Sequence, residues 1–226
     1  MHIPDGYLGP VTCGFFYAVM IPVWAVISRT VRNTLSAKQV PLLAIGAAFS
    51  FVMMMFNIPI PGGTTGHAVG GVLIAILLGP WAACIAITVA LAVQALLFGD
   101  GGLTALGANC FNMAFALPFS GNYIYRMISY NSAIGSRRRI IASGIAGYIA
   151  VNIAALLTGF EFGIQAMFHK TAGGQALYCP YGINVALPVM MGEYLLAFGW
   201  IEAIVTALVV KYLQKQDPTL LGDRRV

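Results

Sequence analysis

Charge is what this sequence has least of. Of its 226 residues only 8% are Asp, Glu, Lys or Arg, while 59% are hydrophobic; soluble domains carry ~25% charged residues. A water-soluble fold of this size could not cover its surface with so few charges. Paired cysteines are also missing. Cys13, Cys84, Cys110 and Cys179 include no C-x-x-C, and the first three lie in apolar runs, so buried free thiols are expected. The opening MHIPDGYLGP has neither the basic n-region nor the apolar core of a signal peptide, so Met1 and His2 are expected at the mature terminus. No Lys/Arg-rich stripe interleaved with aromatics exists, and the formal net charge of +5 therefore does not point to nucleic acid. There is no H-E-x-x-H. The run GGTTGH lacks the G-K-[ST] ending of a phosphate loop, so no ATPase activity is expected of the chain itself.

What the sequence has instead is long apolar runs, most of them near the ~20 residues that a bilayer-spanning helix needs. The expectation is one all-α membrane domain over residues 1–226, a polytopic bundle embedded in the lipid bilayer of the cytoplasmic (inner) membrane. About seven spans can be placed, at residues 11–28, 42–57, 68–78, 82–98, 107–127, 140–159 and 183–210. Arg29, Arg32 and Lys38 follow the first span. Arg126, Arg137, Arg138 and Arg139 lie around the gap between the fifth and sixth, and Lys211, Lys215, Arg224 and Arg225 follow the last. The positive-inside rule makes these regions cytoplasmic. The N-terminus and residues 58–67, 99–106 and 160–182 are then external.

The stretch from Ala68 to Phe98 is short for two spans, but reading it as one helix would place Arg137–Arg139 outside. Gly79-Pro80 is the natural break, since proline cannot continue a helix without losing a hydrogen bond. The third span is then about 11 residues, roughly 17 Å long at 1.5 Å per residue, against a hydrocarbon layer of ~30 Å. Its external end stops below the surface, and His67 before it lies within the membrane profile. Irregular backbone at that depth must be buried in protein or line a cavity. An outward-opening cavity is the economical inference.

There are three histidines, His2, His67 and His169. A histidine in second position has a specific chemistry. The Met1 amine, the His2 backbone nitrogen and the His2 imidazole Nδ1 can close a five- and a six-membered chelate ring on one metal ion. The amide must lose its proton, which favours a metal suited to a planar nitrogen field, Ni(II) or Cu(II). The plain alternative is a histidine that merely follows a start codon. His67 ends PIPGGTTGH, whose glycines permit close backbone approach and whose prolines fix the loop. It is the natural fourth nitrogen; the alternative is an ordinary loop residue, although ionisable groups within the membrane are functional candidates by default. His169 sits beside Lys170, a cation that disfavours a metal. Glu193 and Glu202 are nine apart in the last span. At about 100° per residue this sets them on opposite helix faces, each with its own partner.

The opening MHIPDG, the seven spans and the GGTTGH loop resemble the CbiM/NikM-type substrate-binding S component of cobalt and nickel energy-coupling-factor transporters, over essentially the whole chain. The resemblance implies a metal site built from Met1, His2 and His67, with Ni(II) or Co(II) as transported substrate. It also implies partners: a transmembrane coupling subunit, two cytoplasmic ATPase subunits and often a small additional membrane subunit. Two other readings compete with a carrier. A metalloprotease needs a cluster of His and carboxylates that the sequence does not offer. A serine protease would have to pair Ser50, Ser120 or Ser143 with His67. A passive channel needs several weak sites along a path, whereas a tridentate chelate plus one imidazole suits a single tight site.

Overall fold

The computed structural model describes residues 1–60 and 64–221, and the fold is a helix bundle with one small hairpin. Helix α1 spans Pro10–Thr34 and α2 Val40–Met55; a two-stranded antiparallel hairpin, β1 (Ile58–Ile60) and β2 (Thr64–Gly66), leads to the short α3, Gly71–Leu78. Helix α4 (Pro80–Val93) runs into a π-turn at Gln94–Phe98. Helix α5 (Leu106–Asn109) continues through a π-turn at Cys110–Ala116 into α6, Leu117–Ser129. Helix α7 covers Arg137–Phe168. Helix α8 (Ile183–Glu193) passes through a third π-turn, Tyr194–Phe198, into α9, Gly199–Gln216. Four of the described helical stretches are long and apolar enough to cross a membrane: Pro10–Thr34, Pro80–Phe98, Arg137–Phe168 and Ile183–Gln216.

The outside of the bundle is apolar: Val11, Leu97 and Leu196 are 74%, 74% and 82% exposed. A soluble protein rarely leaves a contiguous apolar surface of this extent, so hydrocarbon is its matching solvent. The inside is close-packed through small residues. Helix α7 packs against α6, α8 and α9. Its Ala142, Ala146, Ala150 and Ala154 repeat every four residues on one buried stripe, with Gly147 and Ala155 beside it. A Cβ at Gly147 would sit 3.3 Å from the Glu202 carbonyl oxygen, so the backbones of α7 and α9 approach as closely as small-residue interfaces allow.

Helical segments occupy each place where the apolar runs put them. Gly79 adopts φ +87° and breaks α3 from α4, as the Gly-Pro pair requires. The differences lie at the ends. Helix α3 is eight residues, shorter than expected. Helix α7 is 32 residues, because nothing between Gly159 and Phe168 stops a helix. The connection before His67 was expected as irregular loop and instead forms the hairpin; Gly62 and Gly63 lie outside the described residues. The four cysteines are free and buried, as expected.

Candidate metal-binding site

The first three residues do not lie on the surface. They enter the bundle, where Met1 is 1% and Ile3 0% exposed, while Pro4, Asp5 and Gly6 are exposed and Leu8 and Gly9 are buried again. Buried backbone needs hydrogen-bond partners, and the bundle supplies them. Asn109, at the end of α5, clamps Ile3 from both sides: its Oδ1 accepts from Ile3 N at 2.8 Å and its Nδ2 donates to Ile3 O at 3.0 Å. Gly102 N donates to the same carbonyl. Asp5 accepts from the Thr104 hydroxyl and from the backbone N–H groups of Thr104 and Leu103, which together hold its carboxyl below the ordinary range. Further on, Cys179 N donates to Tyr7 O, and Gly9 N to Gln165 Oε1. The Met1 amine reaches β2, where it donates to Thr65 O at 2.6 Å.

His67 comes from the opposite side. It is fully buried, between β2 and α3. Tyr194 takes hold of its backbone, accepting from His67 N and donating to His67 O. Glu202 in the first turn of α9 accepts from Val69 N at 2.7 Å and from Gly70 N at 2.9 Å, occupying N–H groups left unpaired at the start of α3. Gly66 is required here, because a Cβ would overlap the ring of Phe198.

The two segments bring the imidazoles of His2 and His67 into a stack, with ring centroids 4.5 Å apart. Each ring has one nitrogen engaged and one free. Gln94 Oε1 lies 3.2 Å from His2 Nε2; an amide oxygen only accepts, so Nε2 carries the proton and Nδ1 presents its lone pair. His67 Nδ1 faces its neighbour's carbonyl, Ala68 O, at 3.2 Å, which leaves the lone pair on Nε2. His2 Nδ1 and His67 Nε2 are both buried without a hydrogen-bond partner among the described residues. Burial also keeps the nitrogens unprotonated. It lowers the Met1 amine to about 5 despite the attraction of Glu193 and Asp100, and lowers His2 to about 3. His67 is held well below its usual range by burial and the adjacent amine. Burial thus favours the uncharged, lone-pair-bearing form of three nitrogen bases, a donor type that suits a borderline divalent ion. Among the described residues no group of three His, Cys, Asp or Glu side chains could hold an ion.

A cavity of about 290 Å³ leads to this point, lined by His2, Tyr7, Asp100, Phe162, Cys179 and Met190 among others. His169 is not part of it. It ends α7, stacks edge-on against Tyr178 and covers Gly9. Glu193 and Glu202 are both buried. The π-turn between them winds more loosely than an α-helix, so the 100° count behind the opposite-faces expectation does not apply. Glu202 found its partner; the Glu193 oxygens have none among the described residues. The sequence reading passed over Asp5, Gln94, Asp100, Asn109 and Tyr194. A signal existed for two of them: Gln94 and Asn109 are amides within apolar runs, where an unpaired polar group is costly and a partner is therefore demanded.

Fold and site together define a helical membrane protein in which buried nitrogen atoms of Met1, His2 and His67 lie close together. The chain belongs to the CbiM family, described as the cobalt uptake substrate-specific transmembrane region, which it matches over residues 2–220. It is 52% identical to a fused nickel transport protein NikMN of Rhodobacter capsulatus, over 100% of this chain and 65% of that protein. The chain thus spans slightly less than two thirds of that relative's length. A putative metal transport protein of Methanocaldococcus jannaschii is 48% identical over 99% of this chain and 96% of its own length. A crystal structure of a transition metal transporter superposes with a TM-score of 0.90 at 54% identity, covering 95% of this chain and 93% of that one.

Proposed function

We propose that this chain is the substrate-binding membrane subunit of an energy-coupling-factor importer for Ni(II), with Co(II) as the alternative cargo, and that it has no catalytic activity of its own. The observation that carries the reading is the stacked pair of imidazoles whose ring nitrogens His2 Nδ1 and His67 Nε2 lack hydrogen-bond partners among the described residues, close to the buried Met1 amine. The ion is bound by the Met1 amine, the deprotonated His2 amide, His2 Nδ1 and His67 Nε2. A planar four-nitrogen field favours Ni(II) over Co(II). Gln94 and Ala68 fix which nitrogen of each ring faces the ion, as outer partners of metal-binding histidines do.

The Lys/Arg distribution supports an external N-terminus and a cytoplasmic C-terminus, with seven spans in the inner membrane. ATP-driven release is left to partners: a transmembrane coupling subunit, two cytoplasmic ATPase subunits and a small additional membrane subunit. Ala44 and Ala48, one turn apart and exposed on α2, form the face proposed for the coupling subunit.

The test is a one-residue insertion between Met1 and His2. It changes no side chain but moves amide and imidazole out of register with the amine. Ni(II) affinity should fall by more than about a hundredfold, beyond the 10–100-fold typical of losing an outer partner. A folded insertion variant that binds Ni(II) as tightly as the native chain would sink the reading.

A further inference from the structure

His2 Nδ1 does not face empty protein. Across from it, at 3.5 Å, stands the Asp100 carboxylate. The separation exceeds a hydrogen bond, and the contact with Gln94 Oε1 assigns the ring proton to Nε2, so Nδ1 has no proton to offer the carboxylate. A lone pair and a carboxylate oxygen opposed in this way repel each other unless a cation lies between or beside them. The arrangement is built rather than accidental. Gly99 at φ +65° and Gly101 at φ +82° turn the chain on either side of Asp100. Asp100 N donates to Gln94 O, the residue that orients His2. A Cβ at Gly101 would come within 3.4 Å of the His2 ring. The next residues, Gly102 to Thr104, are tied to Ile3 and Asp5. The carboxylate is therefore locked in register with the chain start.

Asp100 also differs from the imidazole it faces. Its side chain is 26% exposed where that of His2 is 3%, and both line the same cavity. It is the wet end of a path whose dry end is nitrogen. Carboxylate oxygen suits a hydrated divalent ion; imidazole and amide nitrogen suit the same ion once stripped of water.

We propose that Asp100 is the capture carboxylate of the metal path. It takes a hydrated divalent cation at the mouth of the cavity and passes it to His2 Nδ1, as nitrogen ligands replace water. The proposal rests on the reading of Met1, His2 and His67 as the metal site. It assigns Asp100 to the association step and not to the final donor set.

The experiment is stopped-flow Ni(II) binding to the full chain in lipid nanodiscs, over a range of ionic strengths. Asp100→Asn keeps the shape and removes the charge; Asp100→Glu keeps the charge; Asp217→Asn, after the end of α9, controls for net charge. Asp100→Asn should slow association about tenfold, the low end of what focused charge contributes to on-rates, and flatten its ionic-strength dependence. Asp100→Glu should recover most of the rate, and Asp217→Asn should change nothing. If Asp100→Asn associates within about twofold of the native chain, the capture role is wrong. A native association rate that ignores ionic strength overturns it without any variant. Absence of equilibrium Ni(II) binding by the native chain overturns the metal site and the capture role together.

Discussion

The two imidazoles of the site are held by different parts of the molecule. His2 belongs to a segment fastened at many points to its immediate surroundings: Asn109 and Gly102 on Ile3, Leu103 and Thr104 on Asp5, Gln94 on the ring itself. These partners come from the end of α4, α5 and the stretch between them, and a cavity reaches them. His67 lies behind the His2 ring, fully buried. Its backbone is held by Tyr194, and the two residues before α3 by Glu202, both from the last helical stretch, Ile183–Gln216. The His2 half is thus a socket tied to its own neighbourhood, while His67 is tied to the last helical stretch. A carrier of the kind proposed has to bind tightly and then let go. This division gives the two halves of the proposed site separate anchors.

The largest effects should come from breaking the socket. The insertion between Met1 and His2 removes amide and imidazole from the chelate, whereas His67→Ala leaves three donors. His67→Ala should therefore bind Ni(II) more tightly than the insertion variant, as measured by equilibrium titration of both. The reverse order would mean that His67, not the chain start, dominates. Next in size are the supports. Glu202→Gln replaces an acceptor by a donor facing Val69 N and Gly70 N, and should lower affinity about tenfold. Its effect should be non-additive with His67→Ala, because with no imidazole there is nothing left to position. Additive losses would disconnect the last helix from the site.

A smaller effect sharpens the contrast through protons. With the Met1 amine lowered to about 5 and His2 to about 3, both are already unprotonated at neutral pH. Ni(II) binding at pH 7 should then release about one proton, from the His2 amide alone. An amine at its usual 8.0 would release nearly one more. As pH falls through about 5 the amine gains its proton and competes, so affinity should drop more steeply below that point. Calorimetry in buffers of different ionisation enthalpy counts the protons; a release near two would mean that the amine is not desolvated. Smallest of all, His169→Ala should leave affinity unchanged, and Ala44→Trp with Ala48→Trp should spare metal binding while weakening co-purification with the coupling subunit. Normal assembly of the tryptophan variants would remove the proposed contact face.

Much of this was legible in the residue order. Low charge and apolar runs specify a membrane bundle, because no other solvent tolerates such a surface. Gly79-Pro80 marks a helix break for covalent reasons. His2 is suggestive because chelate rings are local: amine, amide and imidazole are neighbours in the chain before any folding occurs. The supports were not legible in the same way. Asn109 holding Ile3, or Glu202 holding Gly70, joins residues more than a hundred positions apart, and no periodicity encodes that. The helix count from Glu193 to Glu202 crosses a π-turn, which has no clear sequence signature. The hairpin before His67 was missed since Pro59 reads as a strand breaker.

The three π-turns each abut a residue used at the site or near it: Gln94 opens the first, Asn109 precedes the second, and Tyr194 opens the third. A π-turn amounts to one residue too many for the helix that contains it. Each therefore absorbs one residue between two stretches of the same helix. Deleting a single residue from 195–197 would let the α-helix close, with the flanking stretches keeping their faces, because the turn already takes up the extra residue. The spare residue in each turn falls where a helix with an apolar outer face also turns a polar group inward.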